Sequence, residues 1–134
     1  TPEALIEAMR AGDFYASSGV VLADVQYDAD KQQLELSIET DGDATYTTQF
    51  IGTPRGFDES SEPRVDNQGE PMRTTRRYSE EVGKVFATVA GPNPSYKLTG
   101  EELYVRAVVT SSRDHPDPSF KDRKEQAWTQ PVMP

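Results

Sequence analysis

The sequence predicts a mainly β protein, an antiparallel β-sandwich of six or seven strands preceded by one short N-terminal helix. Three observations lead to this fold class. A helical period is confined to residues 2–11, apolar residues alternate with a period of two in most segments after residue 20, and no helical pattern separates one strand from the next. The length of 134 residues fits one domain.

The N-terminal helix has start and stop signals at both ends. Thr1-Pro2-Glu3 offers a capping hydroxyl, a proline suited to the first helical position and an acidic side chain near the positive end of the helix dipole. An apolar stripe of Leu5, Ile6 and Met9 follows, and Gly12 can adopt the left-handed conformation that ends a helix. The predicted helix spans residues 2–11.

A β-hairpin and a third strand are predicted next. Residues 21–27 and 34–38 alternate in polarity and flank an Asp-rich turn at 28–31, and residues 45–53 are rich in the β-branched and aromatic residues typical of strands. In the first strand, one face is expected to carry Val21, Ala23, Val25 and Tyr27, and the other Leu22, Asp24 and Gln26.

The second half of the chain alternates between strands and long loops. Residues 54–72 lack apolar periodicity and are predicted to be a long, mobile loop before strands at 73–78 and 82–90. The next strand, 103–110, is expected to turn Leu103, Val105, Ala107 and Val109 to one face and Tyr104, Arg106 and Val108 to the other. A second long loop, 111–125, precedes a final strand at 126–132.

Composition excludes several classes of function. A net charge of −9, with 23 acidic against 14 basic residues, disfavours nucleic acid as a partner, because a phosphate backbone requires a concentrated basic face. The absence of cysteine excludes disulfides, thiolate metal sites and cysteine nucleophiles, but leaves the cellular compartment open. No run of about 18 apolar residues indicates a membrane span.

No residue pattern indicates a metal or catalytic site. His115 is the only histidine, and its proline-stiffened loop supplies one imidazole, whereas transition-metal sites usually join several ligands. The acidic turns around Asp28 and Asp41 lack the glycine and distal glutamate of an EF-hand loop, and no serine lies in a nucleophile elbow. We therefore predict no catalytic residue, cofactor site or metal ligand in this chain.

The aromatic and arginine residues leave two alternatives open. Trp128 and several tyrosines could form a sugar-stacking platform, although aromatic residues of small sandwiches are more often structural or at interfaces. The tyrosines concerned are Tyr15, Tyr46, Tyr78, Tyr96 and Tyr104. Arg73, Arg76 and Arg77 form the one basic cluster, which is either a solvated strand or a contact for an anion or a partner.

Both ends of the chain resemble a known family. Residues 1–19, which end in Gly12-Asp13-Phe14-Tyr15-Ala16-Ser17-Ser18-Gly19, are similar to the helix and the turn that follow the catalytic barrel of bacterial PHP-type (polymerase and histidinol phosphatase-like) metal-dependent hydrolases. The segments Tyr104-Val105-Arg106-Ala107 and Gln126-Ala127-Trp128-Thr129-Gln130-Pro131-Val132 resemble the end of the β domain in the same proteins. The chain departs from the family in the length of loop 111–125.

The resemblance implies a C-terminal, non-catalytic accessory domain whose partner is its own upstream catalytic domain, where a divalent metal is expected. The chain begins at Thr1 directly on a helix cap, so we expect a piece of a longer protein. Structural or interface roles are predicted for Leu5, Ile6, Met9, Phe14, Tyr15, Arg106 and Trp128. The alternatives are a carbohydrate- or ligand-binding sandwich with exposed aromatic residues and, third, an independent enzyme.

Overall fold

The computed structural model describes all 134 residues, Thr1–Pro134, and confirms a mainly β fold with one short N-terminal helix. Ten strands form, more than the six or seven predicted, because several are too short to show a period. The elements are α1 (Pro2–Ala11), β1 (Ala16–Ser17), β2 (Leu22–Asp28), β3 (Gln33–Ile38), β4 (Tyr46–Pro54), β5 (Ser61–Val65), β6 (Pro71–Tyr78), β7 (Lys84–Ala90), β8 (Ser95–Lys97), β9 (Glu102–Asp114) and β10 (Lys124–Trp128).

Two antiparallel sheets enclose the core. The larger sheet has the strand order β1-β10-β9-β4-β7 and the smaller one β2-β3-β8, while β5 and β6 pair only with each other. Buried side chains from both sheets meet in one cluster, in which Leu34 and Leu36 of the smaller sheet join Phe50, Val105 and others of the larger one. The ring of Phe50 also stacks on that of Tyr96 in β8, with 5.3 Å between ring centroids.

The helix forms where the sequence predicts it. The Thr1 hydroxyl accepts a hydrogen bond of 3.2 Å from the Ala4 amide, and Gly12 ends the helix with a left-handed φ of 78°. None of the ten helical residues is buried. Local signals therefore determine α1, and no strand of this chain covers it.

A β-bulge in β2 overturns the predicted facing of the first strand. The register with β3 shifts between Leu22 and Asp24, so Leu22 is buried while Val21 is exposed. Beyond the bulge, Val25 and Tyr27 lie opposite Leu36 and Leu34, whose side chains face the core. The extra residue at the bulge thus changes which side chains of this strand face the core.

Strand β9 is longer than predicted at both ends. Val105, Ala107 and Val109 are buried as expected, but Leu103 is exposed and the charged Glu102 is buried instead. The strand continues to Asp114, whose carboxylate accepts a 2.6 Å hydrogen bond from Lys124 at the start of β10. Both ends of the predicted loop 111–125 therefore belong to strands, and residues 115–123 connect β9 to β10.

The predicted loop 54–72 contains strand β5, which pairs with β6 to form a two-stranded ribbon. The ribbon interrupts the connection between β4 and β7, which are themselves neighbours in the larger sheet. Between residues 61 and 78, only Ser61 and Thr75 are even partly buried. The ribbon projects from the sandwich.

Gly52 in β4 is required by close packing rather than by its φ angle. A Cβ atom placed there would collide with the backbone oxygen of Tyr104 on β9 and approach the ring of Phe86 within 2.8 Å. The two strands can pair at this point only because residue 52 has no side chain.

Candidate functional site

An apolar groove of about 610 Å³ lies between the end of α1, strand β2 and the C-terminal segment. Nine of its fifteen lining residues are hydrophobic, which distinguishes it from the other, more polar depressions of the surface. The lining consists of residues 11–15 and 22–25, Tyr27, Leu34 and residues 129–132.

The groove exists because the larger sheet does not cover the whole inner face of the smaller one. Strand β2 is an edge strand, and the bulge near its start turns Val25 toward the inner face. The Val25 side chain nevertheless remains 39% exposed. The inner face of the sandwich is thus open to solvent along this edge.

Hydrogen bonds of two tyrosines hold the walls of the groove. The Tyr15 hydroxyl accepts from the Leu22 amide at 3.1 Å, which fixes the segment after α1 against β2. The Tyr27 hydroxyl donates to the Met133 carbonyl at 3.0 Å, and the buried Thr129 hydroxyl accepts from the Ala107 amide at 2.9 Å. The groove is therefore built into the fold, and the two segments that carry the family resemblance meet at it.

The apolar stripe of α1 is also exposed. Leu5 and Met9 are each 68% exposed, Ile6 is 49% exposed, and Phe14, which lines the groove, is 47% exposed. A helix of ten residues is marginal in water without tertiary packing. Four of the predicted interface residues are therefore exposed apolar side chains, three on α1 and one in the groove, and the fifth, Tyr15, also lines the groove.

Arg106 and Trp128 lie elsewhere, on the outer face of the larger sheet. Trp128 pairs with Val108, whereas its neighbour Ala127 points into the core and is fully buried. Trp128 is only partly buried and lies outside the core cluster, so its structural or interface role stays a prediction. Arg106 points outward as predicted and forms no salt bridge.

The remaining predicted candidates do not converge. His115 accepts a hydrogen bond through Nδ1 from the Asp117 amide at 3.0 Å within its own loop, and no group of three or more potential metal ligands occurs. The most exposed aromatic rings, Phe14, Tyr78 and Phe120, lie on three separate segments. The rings that stack on one another, Phe50, Phe86 and Tyr96, pack in or against the core.

The sequence did not predict the burial of one carboxylate, Glu102. Burial alone would raise its pKa, but hydrogen bonds from the Tyr96 hydroxyl at 2.7 Å and from the amide and hydroxyl of Thr99 outweigh burial and lower the pKa below its ordinary value. Burial, with the carboxylate beside it, raises the pKa of Tyr96. Because every partner belongs to the adjoining turn or to β8, the hydrogen bonds of this cluster tie the start of β9 to β8. The pair Glu101-Glu102 after the Thr99-Gly100 turn does not itself reveal which of the two glutamates is buried.

Comparison of the chain with protein-family models, curated proteins and solved structures finds no match. The one helix, α1, is neither long nor apolar enough to cross a membrane.

Proposed function

We propose that this chain is the C-terminal, non-catalytic accessory domain of a PHP-like metal-dependent hydrolase, and that it packs on the catalytic domain and orients it. The observation that supports the proposal most directly is the apolar stripe of α1, whose Leu5, Ile6 and Met9 side chains remain largely exposed in this chain. In this proposal the divalent metal and all catalytic residues belong to the upstream domain.

The energetics of the helix support a docking role. Fully burying a side chain such as leucine, isoleucine or methionine contributes about 1.5–3 kcal/mol, and three such residues on α1 remain largely exposed. Contact with a second domain would supply that burial and would stabilise a helix that is marginal by itself.

No observation favours the alternative of a carbohydrate-binding module to the same degree. A sugar platform needs exposed rings side by side, and the exposed rings here lie on separate segments. The groove is lined mainly by aliphatic and small residues, which suit a protein surface better than a sugar.

Hydrogen exchange on this chain alone and joined to its proposed catalytic domain tests the proposal. Residues 3–15 should exchange rapidly in the chain alone and become protected in the joined protein. Equal protection in both proteins would show that α1 makes no contact between domains.

A pair of substitutions sharpens the test. Leu5→Glu should leave the stability of the chain alone within about 0.5 kcal/mol, because Leu5 is exposed, but should abolish the protection gained on joining. Ala4→Glu adds the same charge on the opposite side of the helix and should preserve that protection. Identical behaviour of the two variants in the joined protein would refute the role of the apolar stripe.

A further inference from the structure

The ribbon formed by β5, its turn and β6, residues 61–78, has no structural support from the rest of the chain. It pairs with no other strand, and both of its faces are exposed. A two-stranded hairpin is marginally stable in water when nothing packs on it. The exposed apolar side chains of Val65, Met72 and Tyr78 add to the surface that water contacts. The ribbon therefore has the properties of an arm that a binding surface would stabilise.

The charge of the ribbon differs from that of the remaining protein. Residues 61–78 carry four arginines and three acidic residues, a net charge of +1, whereas the rest of the chain carries −10. Arg73 and Arg77 are four residues apart on one strand, so they share a face of the ribbon. No arginine of the ribbon takes part in a salt bridge. Arg76 donates to the Ser61 hydroxyl at 2.7 Å and to the Ser61 carbonyl at 2.8 Å. The guanidinium groups of Arg73 and Arg77 make no such bond and are free to bind carboxylates.

A matching acidic surface lies on the outer face of the smaller sheet. A polar groove of about 240 Å³ runs along β2 and β3 and is lined by Asp24 and Glu35 among others. Residues 20–45 contain seven acidic residues and a single basic one, Lys31. The carboxylates of Asp24 and Glu35 accept hydrogen bonds from Gln26 and Gln33 and pair with no cation. This groove is the acidic face.

We propose that two copies of this chain form a dimer in which the ribbon of each copy binds the acidic face of the other. Both complementary surfaces are present on one chain, so a two-fold dimer forms the contact twice. The net charge of −9 makes two copies repel each other, but physiological salt screens that repulsion beyond about 8 Å. The proposed arginine–carboxylate pairs would be in direct contact, where screening is weak. The same acidic surroundings disfavour nucleic acid as the occupant of the ribbon. The dimer does not involve α1, and Asp24 is the one residue that the acidic face shares with the apolar groove. The proposal therefore does not rest on the docking of α1 proposed above.

Complementary charge reversal tests the dimer in analytical ultracentrifugation. The variants R73E/R77E and D24K/E35K should each dimerise about 100-fold more weakly than the wild-type chain, because each places like charges in both contacts. An equimolar mixture of the two variants should form a heterodimer, since each ribbon then faces a surface of opposite charge. Thermal unfolding of each variant verifies that it is folded.

A matched control distinguishes the loss of the proposed contact from the effect of a changed net charge. R10E/K121E has the same net charge as R73E/R77E but changes exposed residues outside both surfaces, and it should dimerise like the wild-type chain. If a reversal unfolds the domain, the neutral variants R73Q/R77Q and D24N/E35Q should still weaken the dimer by about 10-fold.

Several results would overturn the proposal. These are a wild-type chain that stays monomeric up to about 0.5 mM, a dimer that persists in R73E/R77E, and a failure of the mixed variants to associate. Binding of duplex DNA that depends on Arg73 and Arg77, with the protein monomeric, would assign the ribbon to nucleic acid instead.

Discussion

Replacing Glu102 by glutamine tests whether a buried carboxylate holds the smaller sheet to the start of β9. The side chain is 2% exposed and accepts from the Thr99 amide at 3.0 Å and from the Gly100 amide at 3.1 Å. It also accepts from the Thr99 hydroxyl at 3.1 Å and from the Tyr96 hydroxyl on β8 at 2.7 Å. All of these partners donate, so the site suits an ionised carboxylate and nothing else.

The expected loss of stability follows from the hydrogen-bond donors that glutamine would leave without an acceptor. Its amide nitrogen must face at least one backbone N–H, and an unsatisfied buried group costs about 1–3 kcal/mol, as does the loss of a hydrogen bond to a charged acceptor. We expect Glu102→Gln to lower the free energy of unfolding by about 3 kcal/mol. For a domain of this size the melting temperature should fall by roughly 10 °C.

Denaturant and thermal unfolding at neutral pH measure the effect, with Glu101→Gln as the matched control. Glu101 is the exposed neighbour, so its substitution should change stability by less than about 0.5 kcal/mol. Because folding lowers the pKa of Glu102, its contribution is complete above the unfolded value of about 4.3 and declines as the pH falls through the folded value. The difference in free energy of unfolding between wild type and Glu102→Gln should therefore become smaller at acidic pH. Equal stability of the two glutamine variants would refute the reasoning.

Four further experiments test the packing and the non-catalytic assignment. Thr48→Val should raise stability by about 1 kcal/mol in thermal unfolding, because the Thr48 hydroxyl is buried without a hydrogen-bond partner. Trp128→Ala should lower the free energy of unfolding by about 1–2 kcal/mol, because Trp128 is only partly buried. Phe50→Ala in the core should lower it by about 3–5 kcal/mol, and equal losses in the two variants would show that Trp128 is structurally as important. Gly52→Ala should destabilise by about 2–4 kcal/mol, since its Cβ meets the Tyr104 backbone, and an unchanged melting temperature would contradict this close approach. Phosphoesterase assays of this chain with Mn²⁺ or Zn²⁺ should give background rates, and turnover that disappears in His115→Ala would overturn the non-catalytic assignment.

Sequence alone determined the elements whose signals are local. The bounds of α1 follow from a capping threonine and a stop glycine with ten residues between them, and the β2–β3 hairpin follows from alternation around an Asp-rich turn. The apolar stripe of Leu5, Ile6 and Met9 was also predictable from its helical spacing, but whether the sandwich covers that stripe was not.

Tertiary structure decided the features that depend on residues distant in sequence. The bulge in β2, and with it the groove beside Val25, arises from register with β3 and changes the facing of a strand whose own pattern is regular. Strand β5 forms in a segment with no apolar period, since its backbone pairing with β6 requires none. Glu102 is buried because the turn before it supplies donors to its carboxylate, and hydropathy cannot reveal that compensation. Alternation places side chains on two faces of a strand, but only the packed sheets determine which face water reaches.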